Sequence, residues 1–202
     1  GEKEEIVGKL NVMSFDNQPM RVYIVPVNGA RLPSAWELQQ TLNEVYRQAV
    51  TTWTVVEEPG ITISFPGGKM THGGSGDFST YNDDQKLIVE TYTSAGRHLE
   101  RNALYLFFVE GVTFKERSIA GFMPLQRQAG FIYDNPGLVT VAHELAHGAF
   151  NLRHTFSPQS FIVSEGQTQN LMDYTGGTEL WQHQWKSVQD PQRILFAFMQ
   201  DE

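Results

Sequence analysis

His143, Glu144 and His147 stand in the order H-E-x-x-H. On a helix of about 3.6 residues per turn, positions four apart share a face, so the two imidazoles aim at a common point and form a two-toothed metal clamp. Glu144 lies roughly 100° further round. Its carboxylate there reaches a water on the metal without binding the metal itself, which is the placement a general base needs. The string arises by chance in roughly one chain in a hundred of this size, so its setting decides its meaning. It falls within an amphipathic helical pattern that follows a strand.

Zinc catalysis needs a third protein ligand and one open position for water. The chain has no cysteine, so the ligands must be His, Asp or Glu. His154 lies seven residues after His147, too far for the same helix face unless the chain turns sharply. Asn151 supplies such a turn, because Asn is among the few non-glycine residues that tolerate the left-handed conformation. His183, Asp173 and Glu179 are the alternative third ligands. His72, in a glycine loop, and His98, near a helix end, are expected to be solvated surface residues.

These residues need a scaffold. Ile6 to Phe15 and Met20 to Val27 read as two strands joined at Asp16 to Pro19, an expected hairpin. Ser34, with Glu37 three residues on, caps a predicted helix over residues 34–50 whose apolar positions are Leu38, Leu42, Val45, Tyr46 and Ala49. Thr51 to Val56 and Ile61 to Phe65 read as strand. Residues 66–80 (PGGKMTHGGSGDFST) are a loop, either a lid or a disordered segment. A second helix is predicted over Asp83 to Ala95. Ala103 to Val109 (ALYLFFV) has the continuous apolar character of a strand buried on both faces. Ile119 to Met123 and Gln128 to Tyr133 form a short strand pair or one irregular edge. Pro136 opens the helix that carries the H-E-x-x-H string to about Phe150. A last helix runs from about Glu179 to Met199, with a break at Pro191.

The 202 residues suit one large domain, 1–202, which a cleft would divide into parts of about 1–150 and 151–202. A composition 40% hydrophobic, with thirteen Phe, seven Tyr and four Trp, is that of a folded globule. A formal charge of −8 with no cluster of Lys or Arg argues against nucleic acid as a partner. No apolar run approaches the ~20 residues of a membrane span, and Gly1 to Glu5 is polar, unlike a signal peptide. If the protein is exported, its address is expected outside this chain.

The segment HELAHGAFNLRH resembles the extended motif H-E-x-x-H-x-x-G-x-x-H of the metzincin clan of zinc metallopeptidases. It departs in two ways: the third histidine, His154, comes one residue late, and Asn151 stands for the turn glycine. The downstream NLMDY places Met172 and Tyr174 where the clan has its methionine turn and, in some members, a tyrosine. The resemblance implies Zn2+ held by His143, His147 and His154, Glu144 and Tyr174 as catalytic residues, and Met172 as a packing floor beneath the imidazoles. Tyr174 would bind the metal or steady the oxyanion.

The implied fold is α+β and metzincin-like: a twisted mixed sheet with an antiparallel edge strand, two long helices including the zinc helix, and a C-terminal helix. Gln128 to Tyr133 would be the edge strand lining the cleft. The implied activity is that of a zinc endopeptidase acting on a polypeptide. More narrowly, HELAHGAFNLRHTF followed by NLMDYTGG resembles peptidase toxin domains of bacterial polymorphic secreted proteins. That implies secretion, or delivery by a secretion system, and an immunity or inhibitor protein as partner. An inactive zincin-fold binding module and an amidase acting on cell-wall peptide are the competing expectations.

Overall fold

The computed structural model describes residues 12–73, 81–158 and 163–190. Its order is β1 (Gln18–Pro26), α1 (Ala35–Tyr46), β2 (Thr51–Glu57), β3 (Thr71–His72), α2 (Asp83–Ser94), β4 (Ala103–Val109), β5 (Thr113–Phe114), β6 (Gly121–Phe122), β7 (Ala129–Tyr133), α3 (Leu138–Phe150) and α4 (Gln182–Gln189). Five strands form a mixed sheet in the order β2-β1-β4-β7-β6, parallel except for β6, and β3 pairs with β5 in a separate parallel ribbon.

The sheet is buried on both sides, and the strands read accordingly. All seven residues of β4 are buried. Because side chains alternate across a strand, Leu104, Leu106 and Phe108 face one core with α1 and α3, together with Val22, Ile24, Leu38, Leu42, Val141 and Leu145. Tyr105, Phe107 and Val109 face the other, with Ile88 and Tyr92 of α2 and Phe131 and Tyr133 of β7.

The helix starts follow local chemistry. The Ser34 hydroxyl accepts from the Glu37 backbone N–H, as the spacing predicts. Asn82 and Gln85 cap α2 reciprocally, each side chain bonding the other's backbone N–H.

Several expectations change. β1 has β2 on one side and β4 on the other, so neither edge is open to an antiparallel hairpin partner. Residues 12–15, the described end of the expected first strand, form none, and residues 6–11 lie outside the described residues. Ile61 to Phe65 is not a strand either. It makes one bridge, between Ile61 and Val27, and its Ile63 backbone pairs instead with the side-chain amide of Asn28, at 2.7 and 2.9 Å. That amide stands in for a ladder partner.

Gln128 to Tyr133 is not the edge. β7 lies between β4 and the two-residue β6, and β6 is the antiparallel edge strand. Alternating patterns cannot rank strands by position within a sheet, and a two-residue strand has almost no pattern. In the glycine loop, Thr71 and His72 form β3, while 74–80 lie outside the described residues, as does the chain beyond 190. The last helix is correspondingly described only as α4, beginning at Gln182.

The first helix ends in a 3₁₀ turn, Arg47–Ala49, and then in Val50 at φ 53°. A β-branched residue in the left-handed region costs about 1–2 kcal/mol. Val50 holds that conformation because its N–H bonds the Arg47 carbonyl and its own carbonyl accepts from Gln18, both at 3.0 Å. Val50→Asn keeps both bonds and relieves the strain. It should raise stability by about 1 kcal/mol in equilibrium urea unfolding, and an unchanged or lower midpoint would show that Val50 is unstrained.

Candidate metal centre

The centre is assembled from α3, the turn that ends it, and the segment 170–174. α3 presents His143 and His147 on one face, with ring centroids 4.9 Å apart. The helix stops at Asn151, which takes the left-handed conformation with φ 56°. Its N–H and that of Leu152 close the last turn onto the carbonyls of His147 and Ala146. The chain then returns, and His154 stands against both helix histidines.

The three Nε2 atoms converge. His154 Nε2 lies 3.1 Å from that of His143 and 3.2 Å from that of His147. The other ring nitrogens fix the proton positions. Nδ1 of His143 is 2.6 Å from the Leu171 carbonyl, and Nδ1 of His147 is 2.6 Å from the Leu152 carbonyl. A carbonyl oxygen only accepts, so both Nδ1 atoms carry the proton and both Nε2 atoms present lone pairs.

With His154 in the same tautomer, three lone pairs point at one place, which is repulsive unless a cation lies there. Tetrahedral zinc with Zn–N of about 2.0–2.1 Å sets its nitrogen ligands about 3.3 Å apart. The donor set therefore fits such an ion, and the three histidines can hold a metal.

Their protonation state agrees. Burial lowers the pKa of His143 and lowers that of His147 well below the usual imidazole value, helped there by the neighbouring rings. Burial and His143 bring His154 down to about 4. All three are neutral near pH 7, as ligands must be.

Glu144 is buried beside them, with Oε2 accepting from the Met123 backbone N–H at 3.0 Å. Burial pushes its carboxyl up to about 8, partly offset by that hydrogen bond. Its space exists because of Gly121 in β6: a Cβ there would lie 2.6 Å from Glu144 Cγ. Gly148, the residue after His147, does similar work. A Cβ on it would stand 2.7 Å from the Arg127 carbonyl, so the glycine lets α3 lie directly on the chain between β6 and β7.

Tyr174 is half exposed, its ring centroid 4.9 Å from that of His154 and 5.9 Å from that of His143. Phe156 lies flat against His154, 4.9 Å away. Met172 is fully buried in the α1/α3 core, and its carbonyl accepts from Thr155, the residue after His154.

The alternative ligands lie elsewhere. Asp173 accepts from the backbone of Gly166, Gln167, Thr168 and Tyr174 and from the Thr168 hydroxyl. Burial alone would raise its pKa, but those bonds bring it down to about 2, and they leave the carboxylate organising its own loop. Glu179 and His183 are exposed and outside the three-histidine group, and His98 is exposed as expected.

His72 is not a solvated surface residue. It is half-buried, with Nδ1 3.0 Å from the Tyr133 hydroxyl and its ring 5.1 Å from that of Phe122, and burial lowers its pKa. The glycines around it suggested solvent, but β3 pairs with β5 and carries it against β6 and β7. The sequence reading also missed Gly121, Met123 and the carbonyls of Leu152 and Leu171. A backbone partner has no side-chain signature, and a glycine's packing role depends on what the fold brings opposite it.

Two solved structures are similar to this one in fold. Archaemetzincin from Methanopyrus kandleri is 15% identical, with 85% of this chain and 94% of that chain covered at a TM-score of 0.49. The structure of a chaperone–substrate complex is 12% identical, with 87% of this chain and 34% of that chain covered at a TM-score of 0.50. No protein-family model and no curated protein matches the chain. At these identities the likeness is one of overall architecture, a mixed sheet with its helices, and the chemistry rests on the side chains themselves.

Two measurements follow from this geometry. In metal-free protein the stabilising contribution of Glu144 is full below its ordinary pKa of 4.5 and is lost as pH rises through about 8. The stability of wild type relative to Glu144→Gln should therefore fall as pH rises from about 4.5 to about 8, the histidine contribution being common to both proteins. A wild-type slope equal to the variant's would contradict a buried carboxyl. For the turn, Asn151→Gly should keep metal affinity, whereas Asn151→Val should lower it about 10–100-fold by displacing the Leu152 carbonyl from His147, read by competition with a chromogenic chelator.

Proposed function

We propose that this chain is a zinc-dependent endopeptidase, with His143, His147 and His154 as metal ligands and Glu144 as general base. One observation carries the reading: the Nε2 atoms of His143 and His147, both left unprotonated by their Nδ1 bonds, lie 3.1 and 3.2 Å from His154 Nε2, while the buried Glu144 carboxyl, with no ion-pair partner among the described residues, sits beside them on α3. A purely structural metal site has no use for that carboxylate, and burying it is costly.

Zinc bound there would supply Lewis acidity, acidifying a water and polarising the carbonyl under attack. Its charge would also favour the ionised form of Glu144, against the effect of burial. Glu144 then takes the proton of the attacking water and delivers it to the leaving amine. The Met123 N–H holds one carboxylate oxygen and leaves the other for this exchange. Tyr174, beside His154 and half exposed, is placed to offer its hydroxyl to the developing oxyanion. The Leu171 and Leu152 carbonyls keep His143 and His147 aimed, as outer partners of metal-bound histidines do.

The resemblance of residues 143–156 and 170–177 to peptidase toxin domains supports a secreted effector with a polypeptide substrate and a cognate immunity protein. Glu144→Gln should retain one zinc per chain by elemental analysis and lose at least about a thousandfold in kcat on a protein substrate panel. Chelation should abolish wild-type cleavage and added zinc restore it. Activity unimpaired in Glu144→Gln would remove the assignment, and cleavage of peptidoglycan fragments in place of proteins would redirect it to a cell-wall amidase.

A further inference from the structure

Arg117, in the segment that leads from β5 into β6, stands with its guanidinium carbon 5.7 Å from the centre of the Tyr174 ring. That ring is the one lying against His154 and His143. The edge-strand side of the centre and the segment after Met172 therefore approach each other through a cation over an aromatic face. Such a contact orients a guanidinium without neutralising it.

It makes no ion pair among the described residues. Arg21 and Arg97 each have a carboxylate, Glu100 at 3.1 Å and Glu58 at 4.0 Å. Among the described residues no carboxylate forms an ion pair with exposed Arg117. In a chain of formal charge −8, an arginine held by a ring at the candidate centre, and left without an acid, is unlike the other arginines whose pairs are described. Arginine's planar fork suits a carboxylate, which it binds through two parallel hydrogen bonds.

We infer that Arg117 is a specificity-determining residue that receives a carboxylate of the substrate close to the scissile bond. The inference rests on the hydrolase reading above and names the substrate class: peptides carrying an anionic group there, either a Glu or Asp side chain or the free carboxylate of a chain end. Tyr174 links the two parts of the arrangement, its ring under the Arg117 guanidinium and close to His154 and His143. The acidic remainder of the molecule repels anionic peptides at long range, so the preference is expressed only where a peptide can touch Arg117. It should weaken as salt screens the contact.

The test uses zinc-loaded protein and short peptide hydroxamates, which anchor on a metal without being cleaved, in two matched arms. One arm compares Glu with Gln at the residue beside the hydroxamate, and the other compares a free with an amidated C-terminus. At least one carboxylate member should bind about tenfold more tightly than its neutral twin, and the arm that responds identifies the source of the carboxylate. Arg117→Gln should abolish the difference with zinc content unchanged, and Arg117→Lys should restore part of it.

Equal binding of acid and amide in both arms overturns the role of Arg117 while leaving the hydrolase reading intact. A preference that persists in Arg117→Gln overturns it also, by assigning the carboxylate to another cation such as Lys115. A chain that binds neither zinc nor any hydroxamate overturns the hydrolase reading and this inference with it.

Discussion

Two hydrogen bonds from imidazole Nδ1 to backbone carbonyls govern the arrangement of the centre. The bond from His147 reaches the Leu152 carbonyl and the bond from His143 reaches that of Leu171. Each fixes a tautomer and a ring angle together. Each also ties the helix to a separate stretch of chain, so the metal-facing lone pairs are aimed only when the turn after α3 and the segment before Met172 are both in place. The Leu152 carbonyl depends on Asn151 reversing the chain. The Leu171 carbonyl depends on a strip in which Asn170 bonds the Met172 N–H and exchanges amide hydrogen bonds with Gln184 of α4. A short, otherwise marginal C-terminal helix thereby bears on the angle of a histidine ring.

The centre also divides the electrostatic work unevenly. The imidazoles lose their affinity for protons on burial, which suits them to a cation. Glu144 gains affinity for a proton for the same reason. With no cation between them, neutral imidazoles converge while the Glu144 carboxyl keeps its proton up to about pH 8. A dication bound by the three histidines would offset both tendencies at once.

The sequence made the helix legible because its chemistry is periodic: His143, Glu144 and His147 have meaning through spacing alone. The turn at Asn151 was legible for a different reason, since few residues accept a positive φ and one of them stood where the reversal was needed. Ser34 and the apolar run 103–109 announced themselves by capping chemistry and burial, whereas the reciprocal cap of Asn82 and Gln85 was not read from the sequence. The strand neighbours did not. Whether β1 joins a hairpin or lies between parallel partners depends on contacts with residues 51–57 and 103–109, which no local pattern encodes. His72 was misplaced because its glycine-rich surroundings predict exposure, whereas its environment comes from Phe114, Phe122 and Tyr133.

Gly121 ties the sheet to the site in a further way. Neighbouring strand residues face opposite sides, so sliding β6 by a single residue along β7 would bring Phe122 to the place where Glu144 now fits. A phenyl ring and a carboxylate cannot share that space. A two-residue strand has too few ladder bonds to specify its own alignment, and the carboxylate on the facing helix does so instead. The buried carboxyl beside the three histidines is also the gauge against which the border of the sheet is set.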